Sequence, residues 1–139
     1  MSQGLLLDTH ALIWIVLGTP IRAEAADVVA AAAAERRVYV SAATAWEVGI
    51  ICHKPALTAV IGRSARDWFA KAIEATRANL VPLDADLMLD VGDLPEPVHR
   101  DPTDRILIAT ARARDLTLVT RDRAILNYAA LGHVRAIAC

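Results

Sequence analysis

Short apolar runs alternate with longer stretches of helical character along this chain, and that alternation predicts most of its elements. Leu5-Leu6-Leu7 is a continuous apolar run too short for a helix, as expected of a strand buried on both faces. Asp8 ends it, and Thr9–Leu17 reads as a helix stopped by Gly18-Thr19-Pro20. Residues 21–37, rich in alanine and charge, form a second helix on propensity. Val38-Tyr39-Val40 is a second strand, after which Thr44 opens a helix running to His53, before Pro55. Residues 66–79 are amphipathic, with Trp68, Phe69, Ala72 and Ile73 on one side. Leu80-Val81-Pro82-Leu83 is a weaker strand whose proline moves it toward an edge. Asp84 caps a short helix ending near Gly92, and Asp101-Pro102 begins another. A strand at 116–119, a helix at 123–131 and a strand at 134–137 complete the pattern.

Strands separated by helices predict one three-layer α/β/α domain over residues 1–139, with a mostly parallel central sheet of about five strands. Ligands of such folds sit beyond the carboxyl ends of the strands. Asp8 directly follows the first strand, and Asp122 follows the fourth after Thr120-Arg121. Glu47 falls in the opening turn of the helix after the second strand. Asp104 falls in the first turn of a helix leading into a parallel strand, so its N-terminus also points to the carboxyl edge. The pattern therefore brings four carboxylates to one end of one sheet.

Each acid also has an ordinary explanation. Thr44-Ala45-Trp46-Glu47 fits a capping box, Asp101 with Pro102 fits a helix start that Asp104 would favour through the helix dipole, and Asp122 fits a cap. Asp8 has no obvious capping duty beyond the next turn. Their joint placement favours a shared task. Clustered carboxylates repel and hold protons unless a counter-charge relieves them. Mg²⁺ or Mn²⁺ suits oxygen ligands, and either would assist hydrolysis of a phosphodiester. His10, His53, His99 and His133 are not spaced with cysteine for structural zinc. His10 and His99 fall near the acids, where polar roles in a loop or helix compete with contact to a substrate.

Hydrophobic residues make up 55% and charged residues 22% of the chain, the balance of a packed globule. The formal net charge of -1 argues against a protein that coats nucleic acid. It leaves room for a local arginine rim, because Arg100, Arg105, Arg112, Arg114, Arg121, Arg123 and Arg135 crowd the last third. Cys52 reads as a small apolar residue and Cys139 as an isolated thiol. No basic n-region precedes the first apolar stretch, and the apolar run 30–34 is too short to span a bilayer, so a cytoplasmic location is expected, with no membrane partner.

The segments Leu7-Asp8-Thr9-His10-Ala11-Leu12-Ile13-Trp14, Ser41-Ala42-Ala43-Thr44-Ala45-Trp46-Glu47, His99-Arg100-Asp101-Pro102-Thr103-Asp104-Arg105 and Val119-Thr120-Arg121-Asp122 resemble those of PIN domains, most closely the VapC-type toxins of bacterial toxin–antitoxin pairs. The resemblance covers nearly the whole chain in four ordered motifs. It implies a PIN fold and Mg²⁺- or Mn²⁺-dependent ribonuclease activity leaving a 5′-phosphate and a 3′-hydroxyl. It also implies inhibition by a cognate antitoxin protein, and homodimerisation. The family's acidic quartet falls on Asp8, Glu47, Asp104 and Asp122 as metal ligands and catalytic acids. Asp101 would be an auxiliary acid, and Arg100, Arg105, Arg121 and Arg123 would meet phosphates of an RNA substrate, structured RNA such as tRNA included. Thr103 stands where relatives often carry an aromatic residue, Ile51 where many carry a lysine that Lys54 would replace, and Thr110 where glutamine is common. These departures bear on substrate preference more than on catalysis.

Two other readings compete. A receiver-type phosphoacceptor domain would pair acids after the first strand and place a lysine late in the sheet. This chain has one acid there, and its lysines are Lys54 and Lys71. A PIN scaffold kept only for binding protein or RNA is the second, and the intact quartet argues against it. The apolar side chains of Ala11, Leu12, Trp14, Ile15 and Val16 exceed what one small sheet face needs. They predict an interface, for an antitoxin's amphipathic segment or a second copy.

Overall fold

The computed structural model describes residues 3–139 and arranges five parallel strands in one sheet. β1 (Leu5–Leu7) lies at the centre between β2 (Val38–Ser41) and β4 (Thr117–Thr120). β3 (Asn79–Val81) pairs outside β2, and β5 (Arg135–Ala138) outside β4. All three residues of β1 are buried because each face of the sheet is covered. Leu5 and Leu7 pack with Val38, Val40 and Val119 under α1 (Thr9–Leu17), α2 (Ala23–Ala34) and α5 (Ala65–Thr76). Leu6 and Leu118 face the opposite layer of α6 (Ala85–Gly92), α7 (Pro102–Arg114) and α8 (Arg123–Ala130). Burying leucines this fully stabilises the fold by about 2 kcal/mol each. A smaller cluster of Ile13, Val48, Ile51, Cys52 and Ile61 joins α1 to α3 (Ala42–Ile51) and α4 (Pro55–Ile61). The three-layer parallel architecture is the one the alternating pattern predicts.

Several boundaries differ from that pattern, each for a local reason. The second helix spans Ala23–Ala34 rather than 21–37, because Arg36 takes a left-handed conformation at φ 55° that turns the chain into β2. Alanine-rich propensity carries no signal for that stop. α3 starts at Ala42, not Thr44. Its cap is Ser41, whose Oγ accepts the Ala43 N–H at 3.0 Å. The alternative reading of Thr44–Glu47 as a capping box therefore does not hold, and Glu47 sits in the second turn instead of the opening one. Pro55 does not merely end a helix but opens α4, an element absent from the sequence pattern. β3 stops before Pro82, so the proline lies outside the ladder of an edge strand, as its position predicted. α5 ends at Thr76, and β4 and β5 each lie one residue later than expected.

The termini of α1 and β1 rest on glycine. Gly18 closes α1 at φ 71°, and a Cβ on Gly4 would come within 2.7 Å of Leu116 and 2.8 Å of Tyr39. From β1 the chain winds outward through β2 and β3, then returns to the other side for β4 and β5. The switch lies between the carboxyl ends of β1 and β4, where a crevice opens in folds of this kind. No helix among the described residues is long and apolar enough to cross a membrane.

Candidate active site

Four helices begin at this crevice, and three of them are capped by acids of interest. Asp8 accepts the Ala11 N–H at 2.7 Å, Asp101 the Asp104 N–H at 3.1 Å, and Asp122 the Ile125 N–H at 2.9 Å. Asp8 thus does have the capping duty that its sequence context left open. Capping uses one carboxylate oxygen of each, and the N-terminal dipoles of α1, α7 and α8 offset part of the repulsion among the acids. Glu47 and Asp104 cap nothing. With no capping box to hold it, Glu47 lines the same cavity. That cavity, about 690 Å³, is lined by Asp8, Glu47, Asp101, Asp104 and Asp122 together.

The second oxygen of Asp8 accepts the hydroxyl of Thr120, which is fully buried and in turn accepts the Asp122 N–H at 3.0 Å. Thr120 is thereby the brace between the ends of β1 and β4. His99 closes the other side. Its Nε2 lies 3.1 Å from Asp104 Oδ2 and 3.3 Å from Asp122 Oδ1, while its Nδ1 accepts the Asp101 N–H at 3.0 Å. Accepting at Nδ1 fixes the tautomer with the proton on Nε2, so the imidazole donates into the two carboxylates. Sequence reasoning left His99 as one of two histidines near the acids. Its cue was local, an imidazole two residues before a helix cap whose N–H it can accept.

Burial dominates the electrostatics. It raises the Asp8 carboxyl above its ordinary range, opposed by the Thr120 hydroxyl, the Ala11 N–H and His10, and reinforced by Glu47. Asp104 is raised from 3.8 to about 7, by burial first and then by Asp101, with His99 opposing and Asp122 and Glu47 adding to the rise. These couplings link Glu47 to both Asp8 and Asp104, and Asp104 to Asp101 and Asp122. One donor atom each from His99, Asp104 and Asp122 lies within 4.8 Å of the others, a spacing that could hold a metal ion. His99 Nε2 carries the proton it donates, so what the cluster offers a metal is carboxylate oxygen, which fits Mg²⁺ or Mn²⁺ better than a thiolate-seeking metal.

The rim is less basic than the run of arginines suggested. Among Arg100, Arg105, Arg121 and Arg123, Arg121 lines the cavity. Its guanidinium lies 3.9 Å over the Trp14 ring and donates to the Cys139 carbonyl oxygen at 3.1 Å. Arg105 instead donates to the His99 carbonyl and holds that loop. Arg123 opens onto a neighbouring hollow, and Arg100 is exposed outside the cavity lining. Lys54 does line the cavity, beside Ile51, and Trp46 and Ile50 form its apolar wall. The expected interface on α1 also changes. Ala11 and Leu12 are fully buried core, while Trp14, Ile15 and Val16 are half-buried.

The PIN domain family model matches residues 5–131. No curated protein matches the chain. Among solved structures, VapBC2 from Rickettsia felis, bound to a DNA fragment from their promoter, superposes at TM-score 0.69 and 12% identity, covering 96% of this chain and 97% of that one. DNA-bound VapBC from Salmonella typhimurium gives TM-score 0.68 and 15% identity over 99% of this chain and 98% of that one. FitAcB from Neisseria gonorrhoeae gives TM-score 0.53 and 23% identity over 96% of each. At these identities the likeness is one of fold.

Proposed function

This chain belongs to the PIN domain family, and on that premise we propose that it is a divalent-metal-dependent endoribonuclease, the cytoplasmic toxin of a bacterial type II toxin–antitoxin pair. The observation that carries this reading is the single cavity lined by Asp8, Glu47, Asp104 and Asp122 at the topological switch point, with burial raising two of them. That charge is what a bound Mg²⁺ or Mn²⁺ would neutralise. Asp8 and Asp104 would be its principal holders; Glu47 and Asp122 would complete the site directly or through water, and Asp101 would be auxiliary. When bound, the ion eases deprotonation of the attacking water and offsets charge on the phosphoryl oxygen.

The remaining work falls to the chain's own groups. Thr120 and the Ala11 N–H fix the Asp8 carboxylate, so its oxygens keep one orientation as charge develops. His99 holds Asp104 and Asp122 together through Nε2–H. Arg121, stacked on Trp14, meets a substrate phosphate in a prepared position. In-line attack would leave a 5′-phosphate and a 3′-hydroxyl.

An apolar hollow of about 460 Å³ lined by Ile15, Pro20, Ile21, Val29 and Ala33 supports docking of an antitoxin's amphipathic segment. A basic side chain of that partner reaching the acidic cavity would complete the inhibition. Exposed Leu80, Leu83, Met88 and Leu89 supply an apolar surface for a homodimer. The test is cleavage of a structured RNA such as tRNA by antitoxin-free protein in Mg²⁺ or Mn²⁺. Cleavage should stop with chelator and fall by about three decades or more in Asp8→Ala. Undiminished cleavage by that variant would assign the activity elsewhere, and no cleavage by the native chain would leave a non-catalytic binding scaffold.

A further inference from the structure

We propose that Trp46 is a stacking platform for one unpaired base of the RNA, beside the phosphate that Arg121 meets; this rests on the ribonuclease reading above. Trp46 is 57% exposed, although an indole gains much from burial. It immediately precedes Glu47 on α3 and lines the acidic cavity with it. Ile50, one turn further and 49% exposed, extends the same wall. The other indole of the cavity is already engaged, with the Arg121 guanidinium 3.9 Å above its ring and His10 5.8 Å away. Trp14 therefore serves as the seat of a cation, and Trp46 is the aromatic surface left open.

The charges decide what kind of molecule fits. An apolar helix laid across Trp46 and Ile50 would seal five carboxylates, Lys54 and Arg121 away from water, at a cost that unpaired buried charges carry. A nucleotide strand satisfies every part. A base covers the indole, Lys54 and Arg121 meet phosphates, and the scissile phosphate lies over the acids and their cation. Arg121 is tied to Trp14 and to the Cys139 carbonyl, so little freedom is lost when its remaining donors engage. Bases within a duplex have both faces covered by their neighbours, so an open indole selects unpaired ones.

The test measures binding of a short fluorescein-labelled single-stranded RNA by anisotropy with Ca²⁺ present, and cleavage of the same RNA in Mg²⁺. Trp46→Ala should weaken binding at least about fivefold, with Trp46→Phe retaining most of the affinity. KM should rise in parallel with kcat largely unchanged, and a duplex of the same sequence should bind both proteins alike. RNA should quench tryptophan emission of the native chain, and much less that of Trp46→Phe. If the native chain cuts RNA and Trp46→Ala binds and cuts it equally well, stacking is refuted while the ribonuclease reading stands. A Trp46→Ala chain that keeps RNA affinity but no longer holds its antitoxin would make this wall a protein interface instead. A native chain that neither binds nor cuts RNA overturns both.

Discussion

Replacing Asp104 by asparagine should stabilise the metal-free chain while removing its response to metal. The carboxyl is raised from 3.8 to about 7, chiefly by burial and by Asp101. A raised acid works opposite to the usual carboxylate. The folded chain holds a proton that the unfolded chain releases, so stability is fully present below 3.8 and is lost as pH rises through about 7. At about 1.4 kcal/mol per decade of acidity, the interval corresponds to at most about 4 kcal/mol. The Asp104 side chain is 20% exposed, and solvent screening reduces this to about 1–2 kcal/mol. Asparagine keeps an oxygen for the His99 Nε2–H and carries no charge to bury. Thermal unfolding in chelator at about pH 8 should therefore show Asp104→Asn melting about 3–8 °C above the native chain. The gap should close as pH falls toward 4. Excess Mn²⁺ should raise the melting temperature of the native chain and leave the variant's in place, by mass action on the folded state. Equal melting in chelator across the pH range, or Mn²⁺ stabilisation retained by the variant, would refute the electrostatic account of this site.

Thr120→Val removes the hydroxyl that joins Asp8 to the Asp122 amide. It should cost about 1–2 kcal/mol of stability in a denaturant titration and about tenfold or more in cleavage rate, with Thr120→Ser recovering both. Light scattering at tens of micromolar should report a dimer, and Leu89→Glu, on the exposed face of α6, should shift it to monomer without unfolding. Co-expression of the adjacent gene's antitoxin should relieve both RNA cleavage and growth arrest.

Strands and layers were legible because their signals are local. Leu5-Leu6-Leu7 needs apolar cover on both faces, and Pro82 can end only an edge strand, so two short segments specify centre and margin. Helix ends were less so. The stop at Arg36 and its counterpart at Arg77 use a left-handed residue other than glycine, and no composition signals that. The acids could be brought to one edge by topology alone. Glu47 falls on the expected helix but one turn further in, because Ser41 and Thr44 are both good caps and only packing chooses between them. Thr44 is fully buried, within 3.5 Å of Thr9, and unavailable as a cap. Arg105 and Arg121 look alike in sequence, yet one holds a backbone carbonyl and the other rests on Trp14. Those partners lie across the fold, beyond what spacing can report.

Diffraction from crystals soaked in Mn²⁺, recorded to isolate its anomalous signal, tests the central claim most directly. The account predicts a peak in the acidic cavity within bonding distance of Asp8 and Asp104, with Glu47 and Asp122 reached directly or through water and no such peak in Asp104→Asn. An empty cavity at saturating Mn²⁺, or a peak that persists unchanged in the variant, would contradict it.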